Sequence, residues 1–234
     1  CVTGNNITIG FNNNGGTIRI CGANVNVQNA NLSNGATLII TSTGSATFGN
    51  LNLNGSSSSF TNYGTATVNG SFSSGGSVTN NGTLNVSDDL NFNSGSAFSN
   101  NGPTSVGKSM NINSTVLATN NDYIVTNDDL KVNGGGTLVN NCRIWVKKEM
   151  HNNSQIKNYS LIRVSNGGSE LGLYNGAMLQ TEDLTVNGLI KGYTNTSLVK
   201  VLDDTKIYGS GALTHALQIC DADGIEVNYG TINN

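Results

Sequence analysis

Apolar and polar residues alternate along most of the chain in short bursts, separated by clusters of Asn, Gly, Ser and Asp. In Asn80 to Ser99, NNGTLNVSDDLNFNSGSAFS, the alternation puts Leu84 and Val86, then Leu90 and Phe92, then Phe98 on one side. A period of two predicts strands with one buried face. The interruptions at Ser87-Asp88, Asn93-Ser94-Gly95 and Asn100-Asn101-Gly102 carry turn chemistry. No helical period is present, and Gly, Asn, Ser and Thr are poor helix formers.

The layout then repeats in NNGPTSVGKSMNINSTVLAT and NNDYIVTNDDLKVNGGGTLV, and the Asn-Asn pair recurs at 80, 100, 120 and 140, a period of 20 by subtraction. A fixed period of this size predicts an all-β, single-stranded parallel β-helix, a β-solenoid with three strands per coil of about 20 residues. Coils stack at about 4.8 Å, so residue i lies over residue i−20. The expected interior files are Leu84, Thr104, Ile124, Ile144; Leu90, Met110, Leu130, Met150; and Leu32, Phe60, Val78, Phe98, Ala118, Leu138, Ile156. About five buried side chains per coil, roughly 1.5–3 kcal/mol each, are the main gross stabilisation. The Asn file tolerates left-handed backbone at corners and offers amide-to-amide hydrogen bonds between coils.

The chain reads as a single solenoid domain over 1–234: N-terminal coils at 1–33, regular repeats at 34–157 and irregular coils at 158–234. Asn34 to Tyr63 is too long for one coil and predicts an extra loop, at Thr41 to Ser45 or Ser56 to Ser59. Asn62 to Thr79 and Asn140 to Lys157 each lack two residues at a corner. The final NYGTINN resembles a repeat opening (compare NYGTATV from Asn62), as if the chain stopped mid-coil, cut from a longer protein or pairing through an open edge.

Only 11% of residues are charged and the net charge is −3, which leaves no basic stripe to neutralise phosphates and argues against nucleic acid. No apolar run is long enough for a membrane span. Cys1 and Cys21 are 20 apart, one period, so equivalent places bring them within disulfide range; the alternative is a lipid-modified Cys1. Cys142 and Cys220 fall in different coils and are not expected to pair.

One corner reads Asp88, Lys108, Asp128, Lys148 in successive coils, a surface salt ladder. The neighbouring file, Asp89, Ser109, Asp129, Glu149, offers oxygen ligands for calcium, but the interposed lysines oppose it, and no metal or cofactor is expected. No catalytic spacing of the HExxH, GxSxG, P-loop or CxxC kind occurs, His151 falls at an outward, exposed position, and no enzyme is expected. The chemically distinct surface gathers Tyr123, Arg143, Trp145, Tyr159 and Arg163 at outward positions, with Lys147 and Lys148 nearby. Trp145 and Arg163 are expected to be coil neighbours in cation–π contact.

The repeat NNGTLNV…DLNFNSGSAFS resembles bacterial surface adhesins of the filamentous-haemagglutinin type. It is closer still to Asn/Gly/Ser/Thr-rich β-helix segments of large secreted adhesins, in which openings like Cys1-Val2-Thr3-Gly4 and Ile20-Cys21-Gly22 also occur. The resemblance covers Cys1 to Ile162 and carries over no functional residue. It implies a right-handed three-sided β-helix, secretion to a bacterial cell surface and a stalk or adhesive role; handedness does not follow from periodicity. The expected partners are other copies of the chain stacked end to end or further repeats of a larger adhesin. The alternative is a carbohydrate-binding module or polysaccharide lyase using the Trp/Arg patch, with a glycan as ligand.

Overall fold

The computed structural model is a parallel β-solenoid, with no helix among the described residues. Side chains are described for nearly all of residues 1–158 and for a few positions beyond, where the backbone of the strands is described. Residues 4–7, 23, 159, 165–169 and later links between strands lie outside the described residues.

Each strand pairs in parallel with its counterpart one coil on. Leu84, Asn85 and Val86 register with Thr104, Ser105 and Val106, these with Ile124, Val125 and Thr126, and these with Ile144, Trp145 and Val146. Val78, Phe98, Ala118, Leu138 and Ile156 form one interior file, and all five are buried. Separation by twenty in sequence is therefore adjacency by one rung. A typical coil has a leading strand such as Thr83–Val86, a middle strand such as Leu90–Phe92 and a closing strand such as Ala97–Asn100.

The first coils differ. Single long strands, Val25–Ser33 and Ser45–Asn54, cover both the leading and the middle face. Ser45–Asn54 pairs with Thr65–Val68 and with Phe72–Ser74. Leu32 is thereby drawn into the middle face opposite Leu53, and Leu38 takes the closing-file place opposite Phe60 that the sequence assigns to Leu32. The misleading signal is Asn34-Gly35. It imitates the Asn-Asn-Gly corner, but here it makes a tight turn with both residues at positive φ, 50° and 79°.

Both loops considered for the long coil contribute. Thr37 pairs with Ser59 at a separation of 22, and both the Ile40-to-Ser45 and the Leu53-to-Ser59 corners are longer than their successors. The two short coils lose their residues at one and the same corner, between middle and closing strands. Ser74 leads to Ser77 and Asn152 to Gln155 in three steps, against five from Phe92 to Ala97. Beyond 158 the parallel pairing continues with separations between 18 and 23.

Large side chains fill the interior of the early coils. Phe48, Phe60 and Phe72 meet edge to face at 6.5 and 5.6 Å, and Phe92 stacks on Phe98 at 4.5 Å. Against this apolar column runs a fully polar one. Asn62, Asn80, Asn100, Asn120, Asn140 and Asn158 are buried, and each Nδ2 donates to the Oδ1 of the next, at 2.9, 3.0, 2.8, 2.8 and 2.7 Å. None of these six has left-handed backbone; the only described asparagines that do are Asn24 and Asn34. Amide bonding, not left-handed tolerance, therefore accounts for the file.

The second asparagine of each pair forms an exposed ladder of opposite sense. Asn101 donates to Asn81, Asn121 to Asn101 and Asn141 to Asn121 at 2.8–2.9 Å. The amide dipoles of the two ladders oppose one another. Thr104, the one polar member of its interior file, is explained by the buried ladder: its hydroxyl donates to Asn100 Oδ1 at 2.7 Å.

The next position is glycine in four successive coils. A Cβ at Gly64, Gly82 or Gly102 would lie 2.1–2.2 Å from the carbonyl oxygen of the glycine one rung below. Close stacking of corner backbone excludes a side chain there.

Candidate functional site

The corner linking leading and middle strands places the charged residues. Its backbone is laddered like the strands: Lys108 N–H donates to Asp88 O and Asp128 N–H to Lys108 O, both at 3.2 Å. Side chains at this corner consequently stand above one another. Lys108 Nζ lies 2.8 Å from Asp88 and Lys148 Nζ 2.7 Å from Asp128, the expected opposite-charge ladder. Each lysine is held above its ordinary pKa, first by the hydrogen bond to its aspartate and then by that aspartate's charge.

The leading face beside this corner carries the aromatic and basic side chains. Tyr123 and Arg143 occupy one outward file, Val125 and Trp145 the next, one rung apart. The Arg143 guanidinium sits 5.8 Å from the Tyr123 ring centroid, and Lys147 Nζ 5.5 Å from the Trp145 centroid. The backbone register pairs Trp145 with Arg163, as expected. Tyr159 and the side chain of Arg163 lie outside the described residues. The cation described over the indole is Lys147, two residues along the same strand exit, not a rung neighbour. The structure thus brings Tyr123, Arg143 and Trp145 onto two adjacent rungs. Each aromatic face is covered by a cation, an arrangement that attracts aromatic faces to positive charge and leaves guanidinium and ammonium donors at the surface.

Across the corner the sign reverses. The middle face holds Asp129, Lys131, Glu149 and His151. Lys131 Nζ is 3.1 Å from Asp129 Oδ2, and His151 Nε2 is 3.1 Å from Glu149 Oε2. Asp129 Oδ1 also accepts the Glu149 N–H at 3.4 Å. His151 is half-buried, not simply exposed, because it packs over Lys131 in register. The sequence places Asp129 and Glu149 in one file and gives His151 only an outward position. Position i+2 of a strand shares a face with position i, and that rule alone would have joined them.

At the N-terminal end Cys1 and Cys21 stand at disulfide distance, Cα atoms 6.0 Å apart, with Val2 bridged to Ile20. Cys142 is a free, partly exposed thiol. The side chain of Cys220 falls outside the described residues, as do the acidic pairs Glu182-Asp183 and Asp203-Asp204, which lack interposed lysines and are further calcium candidates in the sequence. No helix among the described residues is long and apolar enough to cross a membrane. No model of a known protein family, no curated protein and no solved structure matches this chain.

Proposed function

We propose that the chain serves as a structural or adhesive extracellular β-solenoid, either a stalk segment of a larger secreted surface protein or a subunit stacked end to end. The observation that carries this reading is the buried asparagine ladder, five rung-to-rung bonds in one sense through the interior. Main-chain ladders, the amide ladder and the apolar column all run along the stacking direction. A rung supplied by a longer chain or by a second copy would continue every one of them. The repeat's resemblance to secreted adhesin segments agrees with that use. Electron micrographs of the purified protein at high concentration test it: filaments or lengthening stacks are expected of a subunit. Monodisperse short rods would remove the fibre version, and compact particles would remove both.

A second reading rests on the two-rung group of Tyr123, Arg143 and Trp145, whose cation-capped rings suit a glycan, above all an anionic one. Glycan-array binding that disappears in Trp145→Ala supports it. Binding that is absent, or unchanged in that variant, removes it.

A further inference from the structure

We propose that Asp129, Glu149 and His151 form a surface site for a divalent late-transition-metal ion of the zinc class. Their nearest ligand atoms, two carboxylate oxygens and an imidazole nitrogen, all lie within 4.8 Å of one another. Zinc bonds of about 2.1 Å in tetrahedral geometry hold ligand atoms about 3.4 Å apart. The His151 Nε2 to Glu149 Oε2 distance of 3.1 Å already meets that requirement, and the remaining closure is within reach of side-chain torsions.

Charge points the same way. Asp129 and Glu149 are stacked one rung apart, and the register that pairs Met150 with Leu171 puts Glu170 at the next position of that file. Among the described residues only Lys131 forms a lysine ion pair within the cluster, and that partly exposed pair is a modest competitor for Asp129. The donor set selects the metal. Calcium takes six or more oxygen ligands, which two carboxylates and an imidazole do not supply. Imidazole with carboxylate suits zinc, copper and nickel, and three protein ligands leave a fourth position for water or a group from a partner. The ligands come from two rungs, so a bound ion would clasp consecutive coils next to the point where the repeat loses its regular spacing.

Calorimetric titration of the folded protein with zinc chloride tests the site. Saturable one-to-one binding below millimolar concentration is expected, with calcium giving none. His151→Ala and Glu149→Gln, each checked for native circular dichroism, should weaken zinc binding at least about tenfold, since even losing a residue that only orients a ligand costs that much. Lys131→Ala should tighten it, and Asp88→Asn should leave it unchanged. No saturable zinc binding, binding retained in His151→Ala, or an equal loss in Asp88→Asn would each overturn the proposal.

Discussion

Replacing Asn100 by alanine removes the central amide of the buried ladder, and the cost follows from what is left behind. Asn80 Nδ2 keeps three partners, Gly102 O and Thr104 Oγ1, both at 3.1 Å, and Pro103 O at 3.4 Å. The Thr104 hydroxyl loses its acceptor at 2.7 Å, and Asn120 Oδ1 loses its donor at 2.8 Å, retaining only the long 3.4 Å bond from Asp122 N–H. A buried O–H left without an acceptor and a buried amide oxygen left with one long bond cost about 1–3 kcal/mol each. A loss of about 4 kcal/mol is therefore expected, a large part of the roughly 5–15 kcal/mol that holds a domain folded. Asn101→Ala is the matched control. It is the same residue type one position on, with ladder bonds at 2.9 and 2.8 Å, but it is exposed, and surface changes usually stay within about 0.5 kcal/mol. Urea unfolding followed by circular dichroism and by the fluorescence of Trp145, two rungs on, measures both. In Asn100→Ala the two probes should separate if the damaged rung uncouples its neighbours. Equal losses for the two variants, or a loss below about 1 kcal/mol for Asn100→Ala, would refute the argument that burial gives the ladder its weight.

Reduction of the Cys1–Cys21 pair opens a loop closed over a separation of 20 residues and should cost about 3 kcal/mol by chain entropy; amide exchange should quicken at Val2 and Cys21 first, and uniform protection would contradict this. Lys108 is raised by Asp88, so its ion pair is present below the ordinary lysine range and lost as pH climbs through the raised value. Asp88→Asn should bring the Lys108 titration down in NMR while leaving Lys148, whose partner is Asp128, in place. Thr115 sits at φ 62° where the rungs on either side have Gly95 and Gly135. Thr115→Gly should stabilise by about 1 kcal/mol, relief of β-branched strain less glycine's greater backbone entropy, and a destabilised variant would show that its bonds to Ser94 and Gly95 matter more.

Between Asn62 and Asn158 the strands, the rung register and the interior files were all readable from spacing, because a two-residue alternation inside a twenty-residue repeat leaves few other ways to bury Leu84, Leu90 and Phe98 together. Reading failed where strand length changed without a change of pattern. Val25–Ser33 alternates like two short strands, and only the neighbouring Ser45–Asn54 shows that it runs through the corner. The candidate site was half legible. Tyr123, Arg143 and Trp145 follow from outward parity, but which cation covers the indole depends on the rotamers of Lys147, which no spacing specifies. Outward parity places His151 correctly, but parity alone does not say that an outward side chain turns to a neighbour on its own face, as His151 does to Glu149.

The polar ladder and the apolar column divide two tasks. A column of Leu, Ile, Val and Phe tolerates a slip of two residues, since alternation keeps every apolar side chain inside. The asparagine file does not, because such a slip leaves each buried amide opposite a residue that cannot bond it, at about 1–3 kcal/mol per rung. Corner lengths bear this out. From five of the six asparagines the next leading strand begins three residues on; from Asn100 it begins four on, at Thr104, which keeps the corner's length because Thr104 registers with Leu84. The amide itself holds that corner: Asn62 Oδ1 accepts the Gly64 N–H and Nδ2 reaches Thr83 O on the next rung. In the coil where Ile40 takes the asparagine's place, the same corner stretches from Ile40 to Ser45. Both two-residue deletions fall at the other corner, between middle and closing strands, away from the six-asparagine file. The repeat therefore keeps its length at the corner that the asparagine file holds, and takes up length change where that file is absent.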